Sequence, residues 1–355
     1  MIARFELRNF TAFRNLDVDF SPKINVIIGE NNTGKTHLLK AAYGIYVVGP
    51  LLGNEPDYNT EDMEADLTTR FLRLFLPLDG RLGRMHHHGA KDQALLDIEF
   101  ARGQKINAEF SKKSKMIRIR WEGSYEGGYE RGAVFIPTKE VLSFTKGFIS
   151  LYEKYGLSFD QTYQDICLRL ELPELRSETL HEKAKWAMDE IEKICGGRFI
   201  FSGGGKVTFK TKRDEYSANS IAEGFRKVGM LYRLLETGAI QPGVSGPLFW
   251  DEPESNLNPK MIKLLVQILL ELSRNGQQVI LATHDYVLLK WFDLLSDKGK
   301  DDHVRFHSLY RDTNTGEIKI SSTDDYVEIA PNPIDEAFGY LIDKEIEKDM
   351  GNLGK

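Results

Sequence analysis

Residues 2–9 alternate apolar and polar side chains, as do Leu16, Val18 and Phe20, which predicts two half-buried strands around a turn near 11–15. The pattern then changes. Ile24-Asn25-Val26-Ile27-Ile28 is a nearly continuous β-branched run, the mark of a strand buried on both faces, and it runs straight into Gly29. A helix is expected over about 37–47. Between 49 and 89, Leu67, Phe71, Leu72, Phe75 and Leu76 fall at helical spacing and predict a helical excursion. Segments 95–100, 105–110 and 116–121 alternate and are separated by polar or glycine-containing turns, an antiparallel meander, and 133–136 reads as another buried strand. From 139 to about 196 the helical period dominates, with Ala184, Ala187, Ile191 and Ile194 on one face. Strands return at 198–201 and 206–210. A helix from about Ser220, a strand at 247–250, a helix at 259–273, a strand at 278–282 and a helix from Asp285 follow. Two strands, 304–310 and 318–321, and a helix over 334–348 close the chain. Buried strands alternating with helices predict an α/β fold, with an antiparallel β subdomain and a helical insertion. The expected head comprises 1–137, including the meander 94–137, and 198–355; the insertion is 138–197.

Composition narrows the class. The chain has 355 residues, 41% hydrophobic and 28% charged, which excludes disordered and fibrous proteins. Its net charge is −6, so nucleic-acid contact would have to be local. Cys167 and Cys195 are too few for a disulfide framework or a zinc site, pointing to a reducing cytoplasm. No apolar run reaches the roughly 18–20 residues of a membrane span, and Arg4, Glu6 and Arg8 break up any signal peptide, so no membrane partner is expected.

The chemistry is concentrated in three places. Gly29-Glu30-Asn31-Asn32-Thr33-Gly34-Lys35-Thr36 satisfies the P-loop pattern between a buried strand and a helix. The N–H groups of Asn31, Asn32, Thr33 and Gly34 would face the phosphates of ATP, Lys35 would reach the β- and γ-phosphates, and Thr36 would offer its hydroxyl to Mg²⁺. Leu248-Phe249-Trp250-Asp251-Glu252 is a buried strand ending in two acids, which places Asp251 on the Mg²⁺ shell and Glu252 against the attacking water. Ala282-Thr283-His284-Asp285 ends the next strand, and His284 there is a candidate sensor of the γ-phosphate.

These motifs, in this order, resemble the ATP-binding-cassette ATPases, specifically the soluble branch typified by RecF, SMC heads and the overcoming-lysogenisation-defect nucleases. The opening Phe5-Glu-Leu-Arg-Asn-Phe-Thr-Ala-Phe-Arg14 is similar to that branch's N-terminal hairpin. Asp251-Glu252-Pro253-Glu254-Ser255-Asn256-Leu257-Asn258-Pro259 is similar to the Asp-Glu-Pro-Glu-x-x-Leu-His-Pro run of stand-alone relatives, with Asn258 in place of the histidine. The likeness covers about 1–48 and 215–295. It implies a P-loop NTPase of ABC/SMC-head type whose heads form a homodimer or higher oligomer around ATP. Its signature loop would offer a serine and a helix N-terminus to the partner's nucleotide. The candidate here is Ser220-Ile221-Ala222-Glu223-Gly224-Phe225-Arg226-Lys227, in which Gly224 fits, Ala222 holds the serine position, Ser220 is the substitute, and Arg226 or Lys227 would lie near the phosphates. The family's Q-loop glutamine should fall near 137–140, where there is none.

The resemblance implies a switch acting in nucleic-acid transactions or antiphage defence, with DNA or RNA as cargo and a separate nuclease or toxin effector. The stretch after His284 is too short for the Toprim domain of overcoming-lysogenisation-defect proteins, and Asp301-Asp302 and Asp324-Asp325 lack a glutamate partner, so the effector is expected on another chain. The competing readings are a nucleotide-binding subunit of a membrane transporter, and a nuclease with its site in the insertion. Arg84-Met85-His86-His87-His88 is read as a flexible exposed loop, since consecutive histidines cannot all face one ion. Lys112, Lys113, Lys115, Arg118 and Arg120 with Trp121 put cations on a predicted hairpin, either a phosphate contact or a solvated edge.

Overall fold

The computed structural model describes residues 1–49, 59–123 and 132–352. Three sheets organise them. The central one has six strands in the order β14-β13-β3-β12-β11-β7. Here β3 is Ile24–Gly29, β7 Val134–Ile136, β11 Leu248–Asp251, β12 Val279–Ala282, β13 Val304–Arg311 and β14 Ile318–Thr323. All pairs are parallel except β13 with β14. Every residue of β3, β7, β11 and β12 is buried, as continuous apolar runs in a sheet covered on both faces require.

Alternate side chains of this sheet feed two cores. Val26, Ile28, Val134, Ile136, Leu248, Trp250, Val279 and Leu281 face a helical layer. That layer holds α4 (Gln161–Leu170), α5 (Glu182–Cys195), α6 (Glu223–Glu236), α7 (Pro259–Arg274) and α8 (Tyr286–Leu295). Helices α4 and α5, with α3 (Phe148–Tyr155), come from 138–197 and contribute Phe148, Ile166, Cys167, Ala187 and Ile191 to this shared core. On the opposite face Ile27, Phe135, Phe249, Ile280 and Leu309 meet α1 (Lys35–Val48). Beyond α1 lies a five-stranded antiparallel sheet, order β2-β1-β4-β5-β6. It comprises β1 (Ile2–Phe10), β2 (Phe13–Asp19), β4 (Ala94–Phe100), β5 (Lys105–Phe110) and β6 (Arg118–Glu122), so the meander extends the N-terminal hairpin. Helix α2 (Thr60–Phe75) closes this core through Met63, Leu67, Phe71 and Leu74; the first part of the expected excursion, 50–58, lies outside the described residues.

The third sheet is small: β8 (Gly197–Ser202), β9 (Lys206–Thr211) and β10 (Glu215–Ser217), a third strand the sequence pattern did not predict because it is three polar-edged residues long. From β10 the chain turns through Ala218–Ser220 into α6. Helix α9 (Pro333–Asn352) ends the described chain, with Phe338 stacked on Tyr286.

Residues 84–88 are not a loose loop. Met85 and His86 are buried; His86 Nε2 donates to Asp92 O at 2.6 Å and His87 Nδ1 to Thr11 O at 3.0 Å. Thr11 N–H in turn donates to Met85 O at 2.7 Å, so these histidines pin the turn of the N-terminal hairpin.

Candidate active site

Strand β3 ends at Gly29, where a Cβ would sit 2.3 Å from Leu309 O on the neighbouring strand, so only glycine lets the loop leave the sheet here. The loop then curls on itself. Thr33 Oγ1 donates to Glu30 O at 2.8 Å, and Lys35 Nζ donates to Gly29 O at 2.7 Å and Glu30 O at 3.0 Å. Gly34, at φ 91°, caps α1; a Cβ there would lie 2.6 Å from the Phe13 ring of the N-terminal hairpin. No side chain caps α1, which leaves the N–H groups of its first turn to a ligand, and Asn31 and Asn32 are exposed beside them. Burial lowers the Lys35 pKa; the charges of Glu252, Asp251 and Glu254 oppose that.

Parallel pairing of β11 with β7 and β12 sets Asp251 beside Ala282 and one residue past the Trp250–Ile136 pair. Thr36 Oγ1 is 2.9 and 3.2 Å from the two Asp251 oxygens, and Thr138 Oγ1, just beyond β7, donates to Oδ2 at 3.1 Å. Desolvation raises the Asp251 pKa, while these two hydroxyls pull it down. A desolvated carboxylate flanked by two hydroxyl oxygens is an all-oxygen donor set suited to Mg²⁺.

The next residue turns back. Glu252 has φ 50°, uncommon for a side chain with a Cβ, and its N–H donates to Ala282 O at 2.9 Å. That turn brings its carboxylate Oε1 to 3.3 Å from His284 Nδ1. Glu254 lies behind them: its Oε1 accepts from Thr283 Oγ1 at 2.8 Å and from His284 N–H at 3.3 Å. Its other oxygen is buried without a partner, and desolvation raises its pKa. Lys227, 1% exposed, reaches the same turn from α6; Nζ donates to Glu252 O, to Ser255 Oγ and, at 3.0 Å, to Thr138 O. Burial pulls its pKa down to about 8.

The structure therefore gathers Lys35, Thr36, Asp251, Glu252 and His284 at one end of the parallel strands, with Thr33 and Gly34 in the loop beside them. Ser220 and Gly224 stand apart from them. Ser220 is exposed, and Gly224 is packed on the loop after β11, where a Cβ would fall 2.5 Å from Asn256 O. Arg226 and Lys227, expected near a partner's phosphates, are instead engaged inside the chain. Arg226 Nε pairs with buried Glu140 at 2.7 Å and its guanidinium also donates to Ile221 O. Asn258, the departure from the family's histidine, caps α7 by accepting from Met261 N–H at 3.1 Å. Sequence reasoning missed Thr138, and missed the buried roles of Glu254 and Lys227 behind the paired acid and histidine. A signal for Lys227 existed: Val228 to Leu235 is apolar nearly all round, so a lysine opening that run is drawn into the interior.

Solved structures share this architecture. An SMC head bound to the C-winged helix domain of ScpA superposes with a TM-score of 0.54 at 14% identity, covering 91% of this chain and 97% of the other. The SMC head domain from Thermotoga maritima gives 0.51 at 14%, covering 91% and 98%. At that identity the likeness establishes an SMC-head type of P-loop fold. Among curated proteins, the DNA replication and repair protein RecF of Lactobacillus gasseri is 50% identical over 164 residues, 45% of this chain and 37% of the relative. RecF of Lactobacillus acidophilus is 51% identical over 166 residues, 45% and 36%. The chain thus spans little more than a third of the length of these relatives. A family model described as "AAA domain, putative AbiEii toxin, Type IV TA system" matches residues 198–290. With the P-loop, the paired acids and the histidine converging as described, and the "AAA ATPase domain" model matching residues 1–193, more than half of its length, the chain belongs to the AAA ATPase domain family, in a RecF/SMC-like form.

Proposed function

We propose that this protein binds and hydrolyses Mg·ATP and uses the cycle as a dimerising switch. The observation that carries the reading is the convergence of Thr36 on Asp251 and of Glu252 on His284 beside an uncapped helix N-terminus. In this reading the N–H groups of Asn31, Asn32, Thr33 and Gly34 bind phosphate oxygens, and Lys35 gives up its loop carbonyls to neutralise them. Thr36 and Asp251 hold Mg²⁺, which when bound offsets charge on the phosphates. Glu252 accepts the proton of the attacking water. His284 orients that carboxylate and contacts the γ-phosphate.

Ser220 and the α6 N-terminus at Gly224 then face the nucleotide of a second copy, giving a homodimer or higher oligomer only with ATP. The exposure of Ser220 and the internal engagement of Arg226 support a contact made by hydroxyl and backbone rather than by cations. A separate nuclease or toxin effector, and DNA or RNA as cargo, complete the reading in a cytoplasmic setting. The naming of RecF relatives for DNA replication and repair and the AbiEii description of the second family model support it. Among the described residues no helix is long and apolar enough to cross a membrane.

The test is the solution mass of Glu252→Gln by light scattering, with and without Mg·ATP, beside phosphate release from both proteins. A monomer that becomes a dimer only with ATP, and turnover confined to the unmutated chain, are expected. A mass indifferent to ATP overturns the switch, and wild-type turnover in Glu252→Gln removes its role as base.

A further inference from the structure

The small sheet β8–β10 packs one face on the core through Phe199, Val207 and Phe209. Its other face is in solvent, and the register fixes what it displays: Arg198 opposite Lys210, Ile200 opposite Thr208, Ser202 opposite Lys206, with Ser217 beside Thr208 and Glu215 beside Lys210. The β9–β10 turn adds Lys212 and Arg213. Arg198 is drawn toward Glu192 and Glu236 beside the sheet, at 3.6 and 3.8 Å, whereas Lys206, Lys210, Lys212 and Arg213 share the sheet and its turn with Asp214 and Glu215, on a chain of net charge −6.

Two features set this face apart from an ordinary solvated surface. Strand lysines commonly guard a sheet edge against pairing, but Lys210 lies on β9 where β8 and β10 flank it on both sides, so it has no edge to guard. Among the described residues, moreover, the side chains of Lys206, Lys210, Lys212 and Arg213 form no ion pair. In the basic run near β6, Arg118 pairs with Glu64, Arg120 with Glu109, and Lys112 Nζ donates to Ala90 O, which leaves Lys113 and Lys115 in solvent.

We propose that this face binds a nucleic-acid duplex through its phosphate backbone. From Lys206 to Lys212 the chain runs ~20 Å at ~3.3 Å per residue, a length of axis over which a duplex presents roughly twelve phosphates. Unpaired lysines gain from displacing the counterions of such a polymer, and the Ser202 and Ser217 hydroxyls add phosphate donors. Nothing on the face reads base edges, so binding is sequence-independent and strongly salt-dependent. Through Ala218–Ser220 the sheet continues into α6, so a bound duplex lies one segment from the surface assigned above to the partner's nucleotide. That link rests on the switch reading; the binding does not.

The test uses the full chain, without nucleotide, and a fluorescein-labelled duplex of about 30 base pairs, a length exceeding the ~20 Å face several-fold. Anisotropy titrations across a salt series compare the unmutated chain with Lys206→Gln/Lys210→Gln/Lys212→Gln and with Arg118→Gln/Arg120→Gln. The sheet variant should flatten the slope of log affinity against log salt by about 2.7, at ~0.9 per lost phosphate contact, and the β6 variant should leave it unchanged. The proposal is overturned by a chain that does not bind the duplex, by an unchanged slope in the sheet variant, or by the loss appearing in the β6 variant instead. Displacement of the duplex by polyglutamate at equal charge concentration also overturns it, in favour of an acidic protein partner. Because ATP turnover is not the readout, failure here leaves the hydrolysis reading standing, and the reverse holds.

Discussion

Lys227 Nζ, on α6, donates to the backbone carbonyl of Glu252, the residue that carries the acid facing His284. A buried ammonium thus holds a peptide in the left-handed region (φ 50°) and ties α6, the turn after β11 and Thr138 to one point. Its stability signature has a definite sign. In the folded chain burial lowers the lysine from 10.5 to about 8. Between those values the unfolded chain binds more protons, so stability rises with pH across this window. Relative to Lys227→Met, wild type should gain up to ~3 kcal/mol between pH 8 and pH 10.5, read by urea unfolding of both proteins at the two ends. A pH-independent difference between them would contradict a buried, proton-poor lysine.

Thr138 takes a place beside Asp251 where the family's glutamine is missing. Thr138→Val keeps the shape and removes the hydroxyl, leaving one oxygen fewer around the carboxylate. Loss of one hydrogen bond of about 1 kcal/mol predicts Mn²⁺ bound several-fold more weakly in the presence of nucleotide, measured by electron paramagnetic resonance. Thr138→Ser should restore it. Equal Mn²⁺ affinity in all three proteins would assign the residue a packing role only.

Gly224→Ala tests the seating of α6. In an open helix alanine stabilises by ~0.5–1 kcal/mol over glycine, but here the new methyl meets Asn256 O at 2.5 Å, and backbone cannot step aside. The clash should win, with a net loss of about 1–3 kcal/mol; a raised midpoint in thermal unfolding would show that α6 and the loop are free to separate.

Lys35→Ala should abolish binding of a fluorescent ATP analogue while leaving the fold intact. Among the described residues the ammonium's hydrogen bonds go to the loop carbonyls of Gly29 and Glu30, and its desolvation opposes its charge. Undiminished nucleotide binding would remove the P-loop assignment.

The legible parts of the sequence were those where chemistry and periodicity coincide locally. Continuous apolar runs marked β3, β11 and β12, and the glycines at 29 and 34 announced a loop between a strand and a helix. What stayed hidden depends on partners distant in sequence. Thr138 is 113 residues from Asp251, and nothing in Pro137-Thr138-Lys139-Glu140 says that its hydroxyl turns inward. Lys227 read as a cation near a partner's phosphates because it lies in the segment that opens a helix; its burial follows from α6 lying between α5 and the sheet. His86 and His87 read as exposed because consecutive histidines cannot all face one ion, and their acceptors are backbone carbonyls that no side-chain pattern records.

The contact of Phe13 with Gly34 has a mechanical meaning. No side chain separates the ring from the backbone that opens α1, so the N-terminal hairpin acts as a wedge driven under the phosphate loop. Arg14, next to the wedge, is tethered to Glu317 just ahead of β14, at 3.4 Å, which clamps the hairpin to the far edge of the central sheet. The residue that abuts the backbone at Gly34 and the residue tied to the edge strand of the central sheet are thus neighbours in sequence, so the phosphate loop and the outer strand β14 are joined through two consecutive side chains of the hairpin.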